Sequence, residues 1–503
     1  MKMARLSDHP TQAGRVIDWT PTQATLDAMA KAPATGVTPS LMQLSHLALA
    51  KGKAREGYAD SSWLCGAFEL PGPFDEPAWT RTINKWVARH GGLRNWFTLE
   101  DDGEIIRHEL PPEQVEFAPE VVAEHVTAAE MLDHVHGQFD IHAVPLGRLG
   151  YTFTAVVADD KTVMYFGGDH SYLDGFSVLL LFWDLNTLYD AERAGVEAEL
   201  PPVGSYPDYC VEERALADTF ELSSPAVQYW LEFALKDGGK LPTFPLPLGL
   251  TEGHKVPLVP VYTELLDDGL DIKFEAAVKE LGGTFPAGLY AACAMAAHEL
   301  AAASFYRFLN PVHSRWSPEW IPAMGWFINL VPIHIDIDPD DSFASLARKI
   351  RQVFRDAKVA GDVPTLRVVE IISEYIDFSA DSSERPPITS YLDGNIIPGH
   401  ERWDLQNSYG LTGTGDDNDI YVWINRMPGH TYVTCSCPGT PQAVHSAKNF
   451  FGRAAEILQE VARTGEDVPM RPAGILGPPP PEEDGRGTPS IPGVTDVNPE
   501  RAR

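Results

Sequence analysis

Basic residues are scarce in this chain of 503 residues, where 39 lysines and arginines stand against 71 aspartates and glutamates. The formal net charge is −32 with the histidines neutral. A negative field of this size opposes nonspecific binding to nucleic acid and to anionic membrane surfaces. We therefore expect no nucleic-acid partner, and an anionic substrate would need a local basic patch that the total charge conceals.

Cysteine is also sparse, with five scattered residues and no C-x-x-C pair. An odd, unpatterned set predicts packed free thiols, and the alternation of Cys435 and Cys437 in a strand-like stretch places both on one face of a sheet. No apolar run reaches the roughly 18 residues of a membrane span, and residues 1–12 lack the apolar core of a signal peptide. These absences predict a cytoplasmic protein with no transmembrane segment.

Several common catalytic signatures are missing as well. The chain has no G-x-x-x-x-G-K phosphate loop, no G-x-S-x-G elbow and no histidine or cysteine spacing typical of metal ligands. The first absence argues against P-loop nucleotide enzymes and the second against α/β-hydrolases. We expect neither a bound cofactor nor a metal ion.

Length and composition predict a multilobed globular protein. Hydrophobic residues make up 44% and charged residues 22% of a chain that is too long for one small core. We predict an N-terminal segment over residues 1–35, a first lobe over 36–200, and a second lobe over 201–465 that begins at a proline pair. Residues 466–503 are rich in proline, glycine and charge, which predicts a disordered tail.

The stretch from residue 161 to residue 184 predicts a strand, a tight connection and a helix. The apolar strand leads through two glycines into a polar connection that contains His170, flanked by Asp169 and Asp174. An imidazole has an ordinary pKa of about 6.5, which suits a histidine on such a connection to general base catalysis. Asp174 precedes a glycine, and its spacing alone leaves open an orienting carboxylate, a turn residue or an ion pair.

The six residues that begin at His170 read H-x-x-x-D-G. They resemble the motif of the CoA-dependent acyltransferase superfamily, which includes chloramphenicol acetyltransferase, the condensation domains of nonribosomal peptide synthetases and polyketide-associated acyltransferases. The resemblance implies that His170 is the catalytic base and that Asp174 and Gly175 support its loop. Condensation domains usually carry a second histidine one position earlier. Asp169 stands there in this chain, which argues against a typical peptide-bond-forming domain.

A second match lies in the predicted second lobe, where Arg315 precedes residues 325–332, GWFINLVP. The pair resembles the superfamily pattern of an arginine followed by G-x-F-x-N-x-x-P. The resemblance implies that Arg315 forms a buried ion pair with Asp174 and ties the histidine loop to the other lobe. The candidates for lining a substrate channel are Asp169, Trp326, Asn329 and Trp423, although core packing is an open alternative for Trp423 on its predicted strand.

Three further segments add to the resemblance. Residues 39–47, PSLMQLSHL, and residues 241–249, LPTFPLPLG, resemble an opening motif and a loop of trehalose-type polyketide-associated acyltransferases. We favour a structural role for His46, in the first of these segments, over substrate contact. Residues 89–97, RHGGLRNWF, resemble the R-H-x-x-L-R-x-x-F element of condensation domains, in which we expect His90 and Arg94 to support the fold.

The resemblance predicts an α/β protein with the two-lobed chloramphenicol-acetyltransferase-like, or condensation-domain, fold and a channel between the lobes. It implies transfer of a long-chain or polyketide acyl group from a CoA or carrier-protein thioester to a hydroxyl of a sugar such as trehalose. A polyketide synthase or carrier protein would then be a partner. Two alternatives remain open: a stand-alone condensation enzyme that forms an ester or amide, and a noncatalytic scaffold of the same fold.

Overall fold

The computed structural model describes residues 1–56, 61–100, 103–251, 253–267, 269–375 and 387–477, without the side chains of residues 53–56 and 125. The strands are β1 (Lys2–Arg5), β2 (Gly14–Pro21), β3 (Trp63–Pro71), β4 (Asn95–Leu99), β5 (Ile105–Glu109), β6 (Phe117–Val126), β7 (Tyr151–Val157), β8 (Lys161–Asp169), β9 (Val256–Leu266), β10 (Phe305–His313), β11 (Ile328–Asp336), β12 (Thr389–Asp393), β13 (Tyr409–Thr412), β14 (Asp416–Asp417), β15 (Tyr421–Met427) and β16 (His430–Pro438). The α-helices are α1 (Gln23–Met29), α2 (Leu41–Glu56), α3 (Glu76–Arg89), α4 (Ala128–His142), α5 (Gly175–Ala194), α6 (Tyr206–Ala217), α7 (Pro225–Leu235), α8 (Leu270–Glu280), α9 (Phe285–Ala301), α10 (Phe343–Asp356), α11 (Thr365–Ile372) and α12 (Pro441–Thr464).

The first lobe is built on a seven-stranded sheet with the order β1-β13-β3-β8-β7-β2-β6. Residues 1–35, predicted as a separate segment, instead supply β1 and β2 to this sheet. Ile17 and Trp19 of β2 are fully buried in the core of the lobe, so burial of apolar side chains holds the segment in place.

Both faces of the seven-stranded sheet are covered by helices. Along β8, Val163 and Tyr165 face a core that contains residues of α4, whereas Met164 and Phe166 face a core that contains residues of α3 and α5. Side chains alternate between the two faces of a strand, and here each face meets an apolar layer. This is why β8 is apolar along most of its length.

The second lobe contains a five-stranded sheet with the order β12-β15-β16-β9-β14 and the antiparallel pair β10-β11. Helices α7 to α12 and strands β9, β10, β11, β15 and β16 share one large apolar core. The connection between β10 and β11, residues 314–327, carries Arg315 and Trp326. The paired strands β10 and β11 therefore anchor both ends of the connection that carries these two residues.

The two lobes are not consecutive segments of the chain. Strand β13 falls in the range 201–465 predicted for the second lobe, yet it pairs in parallel with β1 and antiparallel with β3 in the first-lobe sheet. Leu411 of β13 is buried between its neighbours. The chain thus returns to the first lobe after building most of the second, which joins the lobes through a shared sheet.

The start of the predicted disordered tail packs on the second lobe. Val468 is buried in the second-lobe core, its carbonyl oxygen accepts from the Phe343 amide, and the Leu476 amide donates to the carbonyl oxygen of Leu300. Order over residues 466–477 thus rests on a buried side chain and paired backbone groups. Residues 478–503 of the predicted tail lie outside the described residues.

The five cysteines are buried free thiols, as predicted, and Cys435 and Cys437 both face the second-lobe core. Within the described ranges, no helix combines the length and the apolar character needed to cross a membrane.

Candidate active site

The β8-to-α5 connection is shaped by two glycines that precede it. A β-carbon on Gly167 would lie 2.5 Å from Phe139 of α4, and one on Gly168 would lie 2.7 Å from Leu173. Any larger residue would push the covering layers away from the sheet. The strand therefore ends in close contact with α4 on one side and with the connection on the other, and the chain turns at His170 before α5 begins at Gly175.

His170 lies half-buried at the junction of the two lobes. Its backbone amide donates to the carbonyl oxygen of Ser62, with a nitrogen-to-oxygen distance of 3.0 Å. Its imidazole stacks on the indole of Trp326 with ring centroids 3.9 Å apart and an angle of 29° between the planes. The first lobe thus holds the backbone of His170, while the second lobe supplies the surface against which the ring rests.

Asp174 and Arg315 meet across the lobe junction. The Arg315 guanidinium donates to both carboxylate oxygens of Asp174 at 2.8 and 3.1 Å, and the exposed fractions of the two side chains are 1% and 0%. Asp174 is also the N-cap of α5, because its carboxylate accepts from the Ser177 amide at 2.7 Å. The Phe327 amide donates to the same carboxylate at 3.1 Å. One side chain therefore caps a first-lobe helix and binds two second-lobe groups.

The electrostatics of this pair keep Asp174 ionised. Burial raises the pKa of Asp174, but the charge of Arg315 and the hydrogen bonds from Arg315 and Ser177 outweigh burial and hold the pKa below its ordinary value. The guanidinium lies over the rings of Phe176 and Phe327 at 4.9 and 4.4 Å. The ion pair is thus enclosed by apolar groups, so that removal of one partner leaves the charge of the other buried and uncompensated.

Gly175 is not required by the geometry around it. A β-carbon at this position meets no described atom within 4 Å, and its φ is not positive. The supporting role predicted for Gly175 therefore has no steric basis at the start of α5.

Asp169 does not line a channel, contrary to the sequence prediction. Its exposed fraction is 0%, and its carboxylate accepts from His46, Ser62 and Ser171. Burial raises the pKa of Asp169, but the charge of His46 and the hydrogen bonds from these three side chains lower it more. Because its carboxylate is buried and bonded to these three side chains, Asp169 stabilises the His170 loop from the protein interior.

Asn329 is likewise placed inside the second lobe and not on a channel wall. Its exposed fraction is 6%, and its amide nitrogen donates to the carbonyl oxygens of Gly361 and Val363 at 2.9 and 2.8 Å. Its amide oxygen accepts from the Thr365 amide at 2.9 Å and from the Leu330 amide at 3.0 Å. The side chain thus joins β11 to the segment that leads into α11.

Replacement of Asn329 by alanine should destabilise the protein without weakening donor binding. Truncation leaves several buried backbone groups without a hydrogen-bond partner, and each unsatisfied group costs about 1–3 kcal/mol. We expect a lower Tm, a smaller free energy of unfolding and an unchanged Kd for the acyl donor. Thermal melts and donor titration of the Asn329→Ala variant test this, and weaker donor binding at an unchanged Tm would restore the channel assignment.

The remaining channel candidates lie in different places. Trp326 is half-buried in contact with His170, whereas Trp423 is half-buried on β15 of the second-lobe sheet. The structure therefore brings Trp326, and not Trp423, against the candidate base. A channel role for both tryptophans remains a prediction.

His90 and Arg94 make contacts inside the first lobe. The imidazole of His90 lies 2.7 Å from the Asp184 carboxylate, and Arg94 donates to the carbonyl oxygens of Ala88 and Leu110. These contacts fit the fold-supporting role that the sequence predicts for both residues.

Two residues beside the site were not predicted to contact it. The side-chain amide of Gln43 donates to the carbonyl oxygen of Ser171 at 2.7 Å, and the Tyr206 hydroxyl donates to the carbonyl oxygen of Trp326 at 2.7 Å. Gln43 lies in the recognised segment 39–47, so the motif carried a signal for it. Tyr206 is 120 residues from Trp326, and no local pattern indicates that contact.

Metal ligation has no candidate site in the described ranges. They contain no group of three or more histidine, cysteine, aspartate or glutamate side chains placed to hold a metal ion. The side chains that meet at the junction are an imidazole, an ion pair and aromatic rings.

Comparison with known proteins gives a family and close structural relatives. The profile of the condensation domain family matches residues 58–379. The acyltransferase PapA3 of Mycobacterium tuberculosis is 28% identical over 479 residues, which cover 93% of this chain and 98% of that protein. The trehalose-2-sulfate acyltransferase PapA2 of the same species is 30% identical over 469 residues, which cover 91% and 96%.

Solved structures agree with this relationship. A PapA2 acyl transferase structure superposes with a TM-score of 0.83 at 28% identity, covering 92% of this chain and 100% of that one. The first condensation domain of the CDA synthetase gives a TM-score of 0.65 at 16% identity, covering 86% and 98%, a likeness that concerns the fold alone. The predicted two-lobed α/β fold is confirmed.

Proposed function

The chain belongs to the condensation domain family, and from this membership we propose that it transfers a long-chain or polyketide acyl group from a thioester to a hydroxyl of a trehalose-type sugar. Relatives that align over nearly the whole chain are named as acyltransferases, and one is named for trehalose-2-sulfate. The observation that carries the proposal is the position of His170, half-buried at the lobe junction and stacked on Trp326. An imidazole fixed in this way is suited to accept a proton from a bound hydroxyl.

In the proposed mechanism the acceptor attacks the thioester directly. The neutral imidazole of His170 accepts the hydroxyl proton as the acceptor oxygen forms a bond to the carbonyl carbon. The carbonyl π pair moves to its oxygen and gives a tetrahedral intermediate. When that intermediate collapses, the carbon–sulfur bond breaks and the imidazolium returns its proton to the departing thiolate. The products are an ester and a free thiol, and no acyl group is ever bonded to the protein.

Asp174 and Arg315 have a supporting part in this mechanism. Both carboxylate oxygens of Asp174 are engaged by Arg315, and the Ser177 and Phe327 amides add two further bonds. The carboxylate therefore serves the lobe junction and not the proton transfer. We propose that the pair keeps His170 and Trp326, which come from different lobes, at a constant separation.

The acyl donor is proposed to be a long-chain thioester of CoA or of a carrier protein. Each methylene that leaves water contributes about 0.8 kcal/mol, so a long chain bound in an apolar channel gains many times more than an acetyl group. We expect kcat/KM for palmitoyl-CoA to exceed that for acetyl-CoA by at least two orders of magnitude. Steady-state thiol release with a series of chain lengths measures the ratio, and equal values for the two donors would contradict an apolar donor channel.

The direct test of function is incubation of the purified protein with palmitoyl-CoA and either trehalose or trehalose 2-sulfate. We expect acceptor-dependent thiol release together with a sugar ester detected by mass spectrometry. An amine acceptor tests the alternative of an amide-forming condensation enzyme. Transfer to the amine with none to either sugar would overturn the proposed acceptor class, and no transfer from CoA or carrier-protein donors would favour a noncatalytic scaffold.

A further inference from the structure

A second histidine lies behind the loop that carries His170. The imidazole of His46, on α2, lies 3.2 and 3.3 Å from the two carboxylate oxygens of Asp169. Its exposed fraction is 4%, so it is shielded from solvent. The pair joins the first turns of α2 to the residue that immediately precedes the candidate base.

The Asp169 carboxylate forms hydrogen bonds with two residues that contact or adjoin His170, Ser171 and Ser62. It accepts from the backbone amide of Ser171 at 2.9 Å and from its hydroxyl at 2.6 Å. It also accepts from the hydroxyl of Ser62 at 2.5 Å, and the carbonyl oxygen of Ser62 in turn accepts from the His170 amide. The carboxylate thus restrains the backbone of His170 through Ser171, the next residue in the chain, and through Ser62, which binds the His170 amide.

The ring of His46 also touches the aromatic surface against which His170 rests. His46 meets Trp326 edge to face, with centroids 5.0 Å apart and an angle of 71°. The same indole stacks on His170 at 3.9 Å, and the two imidazole centroids are 6.3 Å apart. His46 therefore contacts the partner of the His170 ring as well as the carboxylate that restrains the His170 backbone.

The start of α2 is itself firmly held. The Leu41 amide donates to the Glu213 carboxylate at 2.8 Å, and Gln43 donates to the carbonyl oxygen of Ser171 at 2.7 Å. Gln43 also accepts from the buried guanidinium of Arg107 at 2.7 Å. His46 is consequently presented from a fixed point, which is the requirement for a residue that orients another.

We propose that His46 is a positioning residue for acyl transfer, which acts on His170 through Asp169 and Trp326. The hydrogen bond to Asp169 fixes the backbone from which the base projects, and the ring contact fixes the indole that sets the plane of its imidazole. The proposal rests on the proposed role of His170 as the base. It extends the structural role expected for His46, because the side chain affects the reaction without meeting the substrate.

The test separates the two contacts of His46 by substitution. His46→Ala removes both, His46→Gln keeps an N–H donor for Asp169, and His46→Phe keeps a ring against Trp326. A displacement of about 1 Å at a reacting group can reduce the rate about 100-fold, and we expect this loss in kcat for the alanine variant. KM and donor Kd should stay near wild type. The His46→Gln and His46→Phe variants should each have a higher kcat than His46→Ala. The Tm of each variant shows whether the protein remains folded.

His134→Ala is the matched control, because His134 forms another histidine–carboxylate pair, at 2.8 Å from Asp18, on α4. We expect this variant to keep its kcat. Equal kcat losses in the His46 and His134 variants would show a general effect of such pairs and overturn the proposal. A loss seen only in KM or in Tm would overturn it as well.

The His170→Ala background distinguishes failure of this proposal from failure of the proposed function. In single-turnover assays His46→Ala should not lower the residual transfer of His170→Ala further, because its effect passes through the missing imidazole. A further loss would overturn the positioning role while leaving the base intact. Undiminished transfer in His170→Ala alone would overturn the proposed base, and the positioning proposal with it.

Discussion

Replacement of His170 by alanine should lower acyl transfer by about 10²–10⁴-fold, the range that a positioned general base contributes. The variant should still bind the acyl donor, because His170 lies on a connection and the strands and helices on either side of it are unchanged. Its Tm should stay near wild type, since the ring is only half-buried and the buried Asp174–Arg315 pair across the lobe junction is untouched. Single-turnover transfer from a labelled thioester, donor titration and a thermal melt measure the three quantities.

The matched control for this variant is His313→Ala. His313 ends β10 near the same junction, with its ring 6.2 Å from that of Phe176, but it has no place in the H-x-x-x-D-G motif. We expect the control to keep wild-type transfer. A folded His170→Ala protein with undiminished transfer would exclude His170 as the base.

Replacement of Asp174 by asparagine should lower stability and activity together. One member of a buried ion pair cannot be removed without leaving the other uncompensated, at a cost of about 3–5 kcal/mol. Arg315 would remain between Phe176 and Phe327 without the carboxylate that now pairs with it. Denaturant unfolding should show the loss of free energy, and the lobe junction should open or distort at lower temperature.

The pH dependence of this effect has a definite sign. The pKa of Asp174 in the folded protein lies below its ordinary value, so the stabilisation is complete above about pH 4 and is lost as the pH falls through the folded pKa. The difference in Tm between wild type and Asp174→Asn should therefore be largest near neutrality and shrink in acid.

A double variant tests whether Asp174 and Arg315 stabilise the protein as a pair. Asp174→Asn combined with Arg315→Met removes both charges, and it should be less destabilised than the sum of the single variants. Strict additivity, or an Asp174→Asn protein with wild-type stability and no turnover, would mean that Asp174 acts in the chemistry and not at the junction.

The part of the site that lies close together in sequence was predictable. The helix predicted after the polar connection is found as α5, Gly175–Ala194, because a continuous apolar run follows an N-cap aspartate. The H-x-x-x-D-G and arginine motifs also named the two residues that form the buried ion pair. In both cases the signal lies within a few residues or in a recognised pattern.

What could not be predicted depends on contacts between distant residues. His46 and Asp169 are 123 positions apart, and only the folded chain shows that the carboxylate faces the protein interior. The sequence predicts a channel-lining role for Asn329, whereas its amide nitrogen donates to backbone groups more than 30 residues away. Insertion of β13 into the first-lobe sheet has the same cause, since local patterns identify a strand but not its partner.

Rapid-quench mass spectrometry of the wild-type protein tests the central claim most directly. The protein is mixed with labelled palmitoyl-CoA and a trehalose acceptor and stopped within one turnover, and both the sugar product and the intact protein are analysed. Direct attack assisted by His170 predicts that the label passes from thioester to sugar with no acyl adduct on the protein at any time. A labelled protein adduct that forms and decays as fast as the product appears would contradict it.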